Sequence, residues 1–188
     1  MPQPDSFDEG KSAIAELALA IFRGSLSCVS ALKRDLNYPK GAEEKERCAD
    51  VSLEFIYFYV YMAGKVVLSQ FGDEKKGKIY DQLSPLIVHL SIDPICGNWA
   101  LHLKIGTRNE FYEKLNQKES EYSSCKELIS EDKPFTGSAL FPTLGRKIAG
   151  FYGYPNDPET IMAVIELAKQ TWKVILLEKL VEAATAEL

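Results

Sequence analysis

The stretch Leu53-Glu54-Phe55-Ile56-Tyr57-Phe58-Tyr59-Val60-Tyr61-Met62-Ala63 is apolar nearly all round, with one carboxylate in it. A helix with that pattern is normally surrounded by others, so it predicts the central element of a helical core. This helix should start near Glu43 and run to Phe71-Gly72, where glycine offers a stop. One face departs from the apolar rule. At about 100° of turn per residue, Asp50, Glu54, Tyr57, Tyr61 and Lys65 fall in a single narrow arc.

On the N-terminal side, Ile14, Leu17, Ala18, Ile21, Ser25, Cys28, Val29, Leu32 and Leu36 recur at threes and fours, the stripe of an amphipathic helix ending before Pro39-Lys40-Gly41. Beside it runs a line of small residues, Ala13, Ala20, Gly24, Ser27 and Ala31, which suits close packing inside the monomer or a dimer seam. Residues 1–10 carry two prolines and three acids with no apolar period, and read as a frayed tail.

On the C-terminal side a third helix is expected over 74–90. The region 87–105 then admits two readings. Val88, Leu90 and Ile92 alternate with His89 and Ser91, and Trp99, Leu101, Leu103 and Ile105 alternate with Ala100, His102 and Lys104. A period of two suits strands, and a small β-hairpin there would set His89 opposite His102. The other reading is a helix end, a loop and the next helix start. Beyond Gly106-Thr107 the charges rise and predict a largely solvated surface helix. Residues 130–137 read as a linker, and 139–151 as a short helix or two turns around Pro142. Asp157-Pro158-Glu159 announces the last helix, with a cap, a first-turn proline and a charge that complements the dipole, running almost to the C-terminus. The expectation is an all-α, single-domain bundle of about six helices over residues 11–188.

The composition fits such a core: 188 residues, 46% hydrophobic and 26% charged, enough chain to bury a single core without staples. Twenty-two basic residues against 27 acidic ones give a formal net charge of -5, and the basic groups are short and flanked by acids, which disfavours nucleic acid as a partner. Cys28, Cys48, Cys96 and Cys125 show no metal-binding spacing and read as free thiols. The acidic start lacks a secretory signal, so a cytoplasmic setting is expected. The most apolar run, 55–68, is interrupted by Lys65, short of the about 20 apolar residues of a span, so no membrane partner is expected either.

Catalytic signatures are missing from the sequence: there is no phosphate loop, no GxGxxG, no GxSxG and no HExxH. The residues three before His89 and His102 are Leu86 and Trp99, so the Glu-x-x-His pairs of a di-iron bundle are missing too. No metal and no cofactor are assigned, and no catalytic residue is named. Three groups remain as candidates. Glu54, Tyr57, Tyr61 and Lys65 could line a ligand pocket on the central helix, set against an internal polar network or a solvated stripe. His89 and His102 could join that pocket, or share a metal if the hairpin forms. Tyr152 and Tyr154, in the loop Phe151-Tyr152-Gly153-Tyr154, could form an interface, set against plugging the end of the bundle. An interaction or binding module is therefore expected, with a homodimer, a protein or a small molecule as partner. The alternative is a small-ligand-binding protein or enzyme with its pocket on the aromatic-rich central helix.

Overall fold

The computed structural model describes residues 12–35, 43–93, 101–125, 127–128 and 139–188. Within them run seven helices: α1 (Ala13–Asp35), α2 (Glu43–Phe71), α3 (Asp73–Ser91), α4 (Leu101–Ser123), α5 (Leu140–Phe151), α6 (Pro158–Val174) and α7 (Leu177–Ala186). No strand occurs among the described residues, and the fold is all-α. The tail 1–10 and the linker 130–137 lie outside them.

As its composition requires, α2 is the axis of the bundle. Phe55, Phe58 and Tyr59 are fully buried, and α1, α3, α4, α5 and α7 all pack against it. Gly72, at φ 85°, turns the chain straight from α2 into α3, a conformation that glycine adopts without a Cβ clash. Gly145 is where α5 meets α6, since a Cβ there would lie 2.9 Å from Ile161 Cγ2 and 3.1 Å from the Ile161 carbonyl oxygen. At the other end of the fold, the Ala13 N–H donates to both Glu187 carboxylate oxygens at 2.8 and 2.9 Å, so the C-terminal residues cap the first helix.

Two expectations are corrected. The helix count is seven, not six, because the last predicted helix breaks at Ile175-Leu176. Leu176 takes a left-handed conformation, φ 51°, and the break lets α7 fold back so that Leu177 and Val181 are fully buried against the bundle. The hairpin over 87–105 does not form. Ser84, Ile87, Val88 and Ser91 make the buried stripe of α3, and Leu101, Leu103 and Ile105 lie on α4 with their side chains exposed. The alternation in that region reflects neighbouring turns of two helices, so it carries no strand register. The rest of the predicted turn, residues 94–100, lies outside the described residues.

The membrane expectation is also revised. Ala13–Asp35 and Glu44–Phe71 are each long and apolar enough to cross a bilayer by length and composition, and Lys65 does not disqualify the second. In this fold 72% of the apolar window of α2 is buried against other helices, as the core helix of a bundle would be, against 44% for α1.

The start of α6 follows its sequence. The Asp157 carboxylate accepts from the Thr160 hydroxyl at 2.5 Å and from the Thr160 N–H at 2.9 Å. These bonds, the hydroxyl's first, hold the carboxyl below the ordinary aspartate value of 3.8. A lowered folded-state pKa contributes stability that is present above the unfolded value and lost as pH falls through the folded one. Asp157→Ala should therefore lower the thermal midpoint at neutral pH, and its gap from the parent should narrow as the pH drops below 3.8. Melting curves across that range check it, and a gap that ignores pH would rule out the charge as the cause.

Candidate functional site

The middle of the polar arc of α2 faces α4 and α5, with Glu54, Tyr57 and Tyr61 buried and Asp50, at its start, exposed. Glu54 is 2% exposed. Its Oε1 accepts from the Tyr122 hydroxyl at 2.6 Å, and its Oε2 accepts from Lys118 Nζ at 2.6 Å. Lys147 Nζ stands 3.6 Å from Oε1 and also donates to Glu121. Two carboxylates, two ammonium groups and one phenol thus meet where α2, α4 and α5 converge. A buried charge is tolerated only when paired and hydrogen-bonded, and this cluster is balanced in sign. Burial pushes the Lys118 ammonium down, and the neighbouring Lys147 adds to that fall although Glu54 opposes it. Burial is the largest single influence on Lys147 and works against its charge, but its neighbours, Glu121 first and Glu54 with it, together outweigh burial and hold that ammonium up. Burial first, and the Glu54 charge second, push the phenols of Tyr57 and Tyr122 up. Both rings stay protonated at neutral pH.

The rings of this arc meet other rings. Tyr57 lies 5.2 Å from Phe111 and Tyr61 lies 5.5 Å from Tyr122, centroid to centroid. Lys65, at the end of the arc, is half-buried. The arrangement therefore ties α4, whose surface is otherwise mostly polar, to the core. The partners Lys118, Glu121, Tyr122 and Lys147 were not singled out from the sequence as candidates. A signal existed: Lys118 stands three residues after buried Leu115 and four before buried Tyr122, on the inward stripe of α4.

An open hollow lies elsewhere, on the opposite side of α2. A groove of about 860 Å³ runs between α1, α2 and the end of α3. Phe22, Leu26 and Val29 of α1 form one wall, and Cys48, Ala49, Ser52, Leu53 and Ile56 of α2 form another. His89, Leu90, Ser91 and Asp93 close the third side. Counting at about 100° per residue puts the α2 wall roughly opposite Glu54. The lining is carbon apart from a thiol, two serine hydroxyls and the His89 and Asp93 groups. Of the two serines, Ser91 is already engaged, donating to the Ile87 carbonyl at 2.7 Å.

His89 and His102 sit on different helices, both exposed. His89 Nδ1 lies 3.2 Å from Asp93 Oδ2. Arg108, on α4, grips the same carboxylate in a fork, Nε at 2.9 Å and a terminal nitrogen at 2.8 Å. Burial works against the Asp93 carboxylate, but the bonds from Arg108 and His89 outweigh it and hold its pKa below the usual range. Of the sequence candidates, His89 alone lines the groove, and among the described residues no group of three or more His, Cys, Asp or Glu converges as a metal site. At the bundle end, Tyr152 is half-buried with the Arg47 guanidinium 5.7 Å from its ring centre, whereas Tyr154 is 67% exposed. The small-residue line is used in part within the monomer, because a Cβ on Gly24 would meet Thr171 Cγ2 at 3.0 Å.

Comparison with family models, curated proteins and solved structures finds no match to this chain.

Proposed function

We propose that this protein binds a small apolar molecule in the groove between α1, α2 and α3. The observation that carries the reading is the groove itself: its volume of about 860 Å³ falls within the range of small-molecule sites, and its walls are mainly aliphatic and aromatic. A few polar groups of the lining, Ser52, His89 and Asp93, would orient a ligand there. The arc of Glu54, Tyr57 and Tyr61 is assigned a packing role, since the Glu54 carboxylate is already paired and the two rings pack on Phe111 and Tyr122. This is the small-ligand alternative read from the central helix, moved to the other face of that helix. The described cysteines are free thiols, which agrees with a reducing, cytoplasmic setting.

A second reading, an interaction module or homodimer, draws on exposed apolar side chains. Val174 is 80% exposed and Leu176 55% at the turn between α6 and α7, and Leu101 is 72% exposed on α4.

One experiment addresses both. Nile red, a neutral apolar dye, should bind saturably with enhanced fluorescence, and Ala49→Trp should weaken its affinity by about tenfold, equivalent to about 1.4 kcal/mol. Ala49 is exposed and lines the groove, so tryptophan there fills the space from the rim and leaves the core intact. Equal dye binding by parent and variant would remove the groove from the proposal. The native mass of the same sample reports whether the chain self-associates.

A further inference from the structure

Part of the polar lining of the groove is already engaged. The Ser91 hydroxyl donates to the Ile87 carbonyl. Both oxygens of Asp93 accept from the Arg108 fork, and Oδ2 also meets His89 Nδ1 at 3.2 Å. Asp93 is the acidic group of the lining, and Arg108 answers its charge from 2.8 Å away. No lysine or arginine stands among the described residues of the lining. An ionic headgroup entering the groove would therefore lose water and find no unanswered opposite charge in its place.

Two polar groups are left over. Ser52 and His89 line the groove, and among the described residues neither the Ser52 hydroxyl nor His89 Nε2 has a hydrogen-bond partner. Ser52 is half-buried on the α2 wall, and His89, being exposed, stands at the rim. The two ask different things of a ligand. A serine hydroxyl both donates and accepts, so it takes either kind of polar atom, whereas a neutral imidazole has one donor nitrogen and one acceptor nitrogen. The Asp93 carboxylate only accepts, so it draws the ring proton to Nδ1 and leaves Nε2 as the acceptor. Arg108 holds that carboxylate in its fork from α4, and the tautomer is thus set from outside the groove. A hydrocarbon covering these groups would leave both unsatisfied, at a cost in binding. An ether or ketone suits Ser52 but brings no donor for Nε2. A hydroxyl suits either.

We propose, resting on the groove reading above, that the ligand is an uncharged apolar alcohol or phenol. Its hydrocarbon body lies between α1 and α2, and its hydroxyl donates to His89 Nε2 at the rim. No covalent bond is made or broken in this binding.

Three flat molecules of similar size separate the classes: 2-naphthol, its methyl ether 2-methoxynaphthalene, and 2-naphthoate. Each competes with Nile red at mildly alkaline pH, which favours the neutral ring. 2-Naphthol should displace the dye at a concentration about threefold to tenfold below the ether, the range of one net hydrogen bond. 2-Naphthoate should be the weakest competitor. His89→Phe, an exposed change that keeps a flat ring and removes both nitrogens, should erase the advantage of the alcohol over the ether. If alcohol and ether compete equally in the parent, or if the preference survives His89→Phe, the hydroxyl assignment is wrong while the groove reading stands. Naphthoate competing as well as naphthol would overturn the uncharged ligand. If the dye binds in the groove and none of the three displaces it, the ligand class fails as a whole. If the dye does not bind there, both readings fall together.

Discussion

Glu54→Leu is expected to destabilise the fold by about 3–5 kcal/mol, the cost of removing one partner from a buried ion pair. Glu54 is 2% exposed and takes hydrogen bonds from Lys118 and Tyr122, both at 2.6 Å. Its loss leaves the Lys118 ammonium, whose side chain is 17% exposed, without its nearest anion, and leaves the buried Tyr122 hydroxyl without its acceptor. For a chain of this size each kcal/mol moves the midpoint by roughly 2–4 °C, so a fall of about 10 °C in a thermal melt is the reading to look for. Glu54→Gln should cost less, since the amide oxygen still accepts. The informative control replaces the charges together. Glu54→Leu with Lys118→Met removes the stranded ammonium along with the carboxylate, leaves Lys147 paired with Glu121, and should recover much of the loss. If the single variant melts within a degree or two of the parent, the cluster does not hold α4 in place.

Phe58→Ala should cost a comparable amount, about 3–5 kcal/mol, by lost transfer energy and by the cavity left behind. The ring is fully buried at the centre of α2, edge-on to Tyr59, Tyr122 and Phe141 at centroid distances of 5.5, 5.7 and 5.2 Å. Edge-to-face pairs add stabilisation beyond area, and collapse does not recover their loss because each neighbour is itself held by other contacts. Phe71→Ala, at the 43% exposed end of the same helix, supplies the reference. Its cost should be a small fraction of that at Phe58. Equal midpoints for the two variants in chemical denaturation would show that the aromatic cluster is not the core of the bundle.

The legible parts of this protein are those where one segment suffices. The run 53–63 has no polar face wide enough to meet water, so its place in the centre follows from burial alone. Asp157-Pro158-Glu159 meets every local requirement of a helix start, and the cap bond to Thr160 forms as expected. By contrast, the alternation around His89 and His102 imitated strands although residues two apart on a helix stand about 200° apart, and Leu101, Leu103 and Ile105 are exposed on α4. The break at Leu176 gave no local warning either, since leucine has no preference for the left-handed region. It is stabilised from outside, by the burial of Leu177 and Val181 that the turn permits.

The candidate sites divide in the same way. The sequence by itself determined that α2 carries a polar arc and that Glu54, if buried there, would need a partner, because desolvating a lone carboxylate on so apolar a helix costs too much. Only the tertiary structure decided what answers it: Lys118 and Tyr122 are 64 and 68 residues away, and Lys147 belongs to a third helix. The groove was likewise beyond any single stretch. Its walls come from α1, α2 and the end of α3, and each reads in isolation as an ordinary amphipathic or core helix. A hollow is a property of the spacing between elements, fixed by packing contacts distant in the chain, whereas a helix, its cap and its buried face are properties of neighbouring residues.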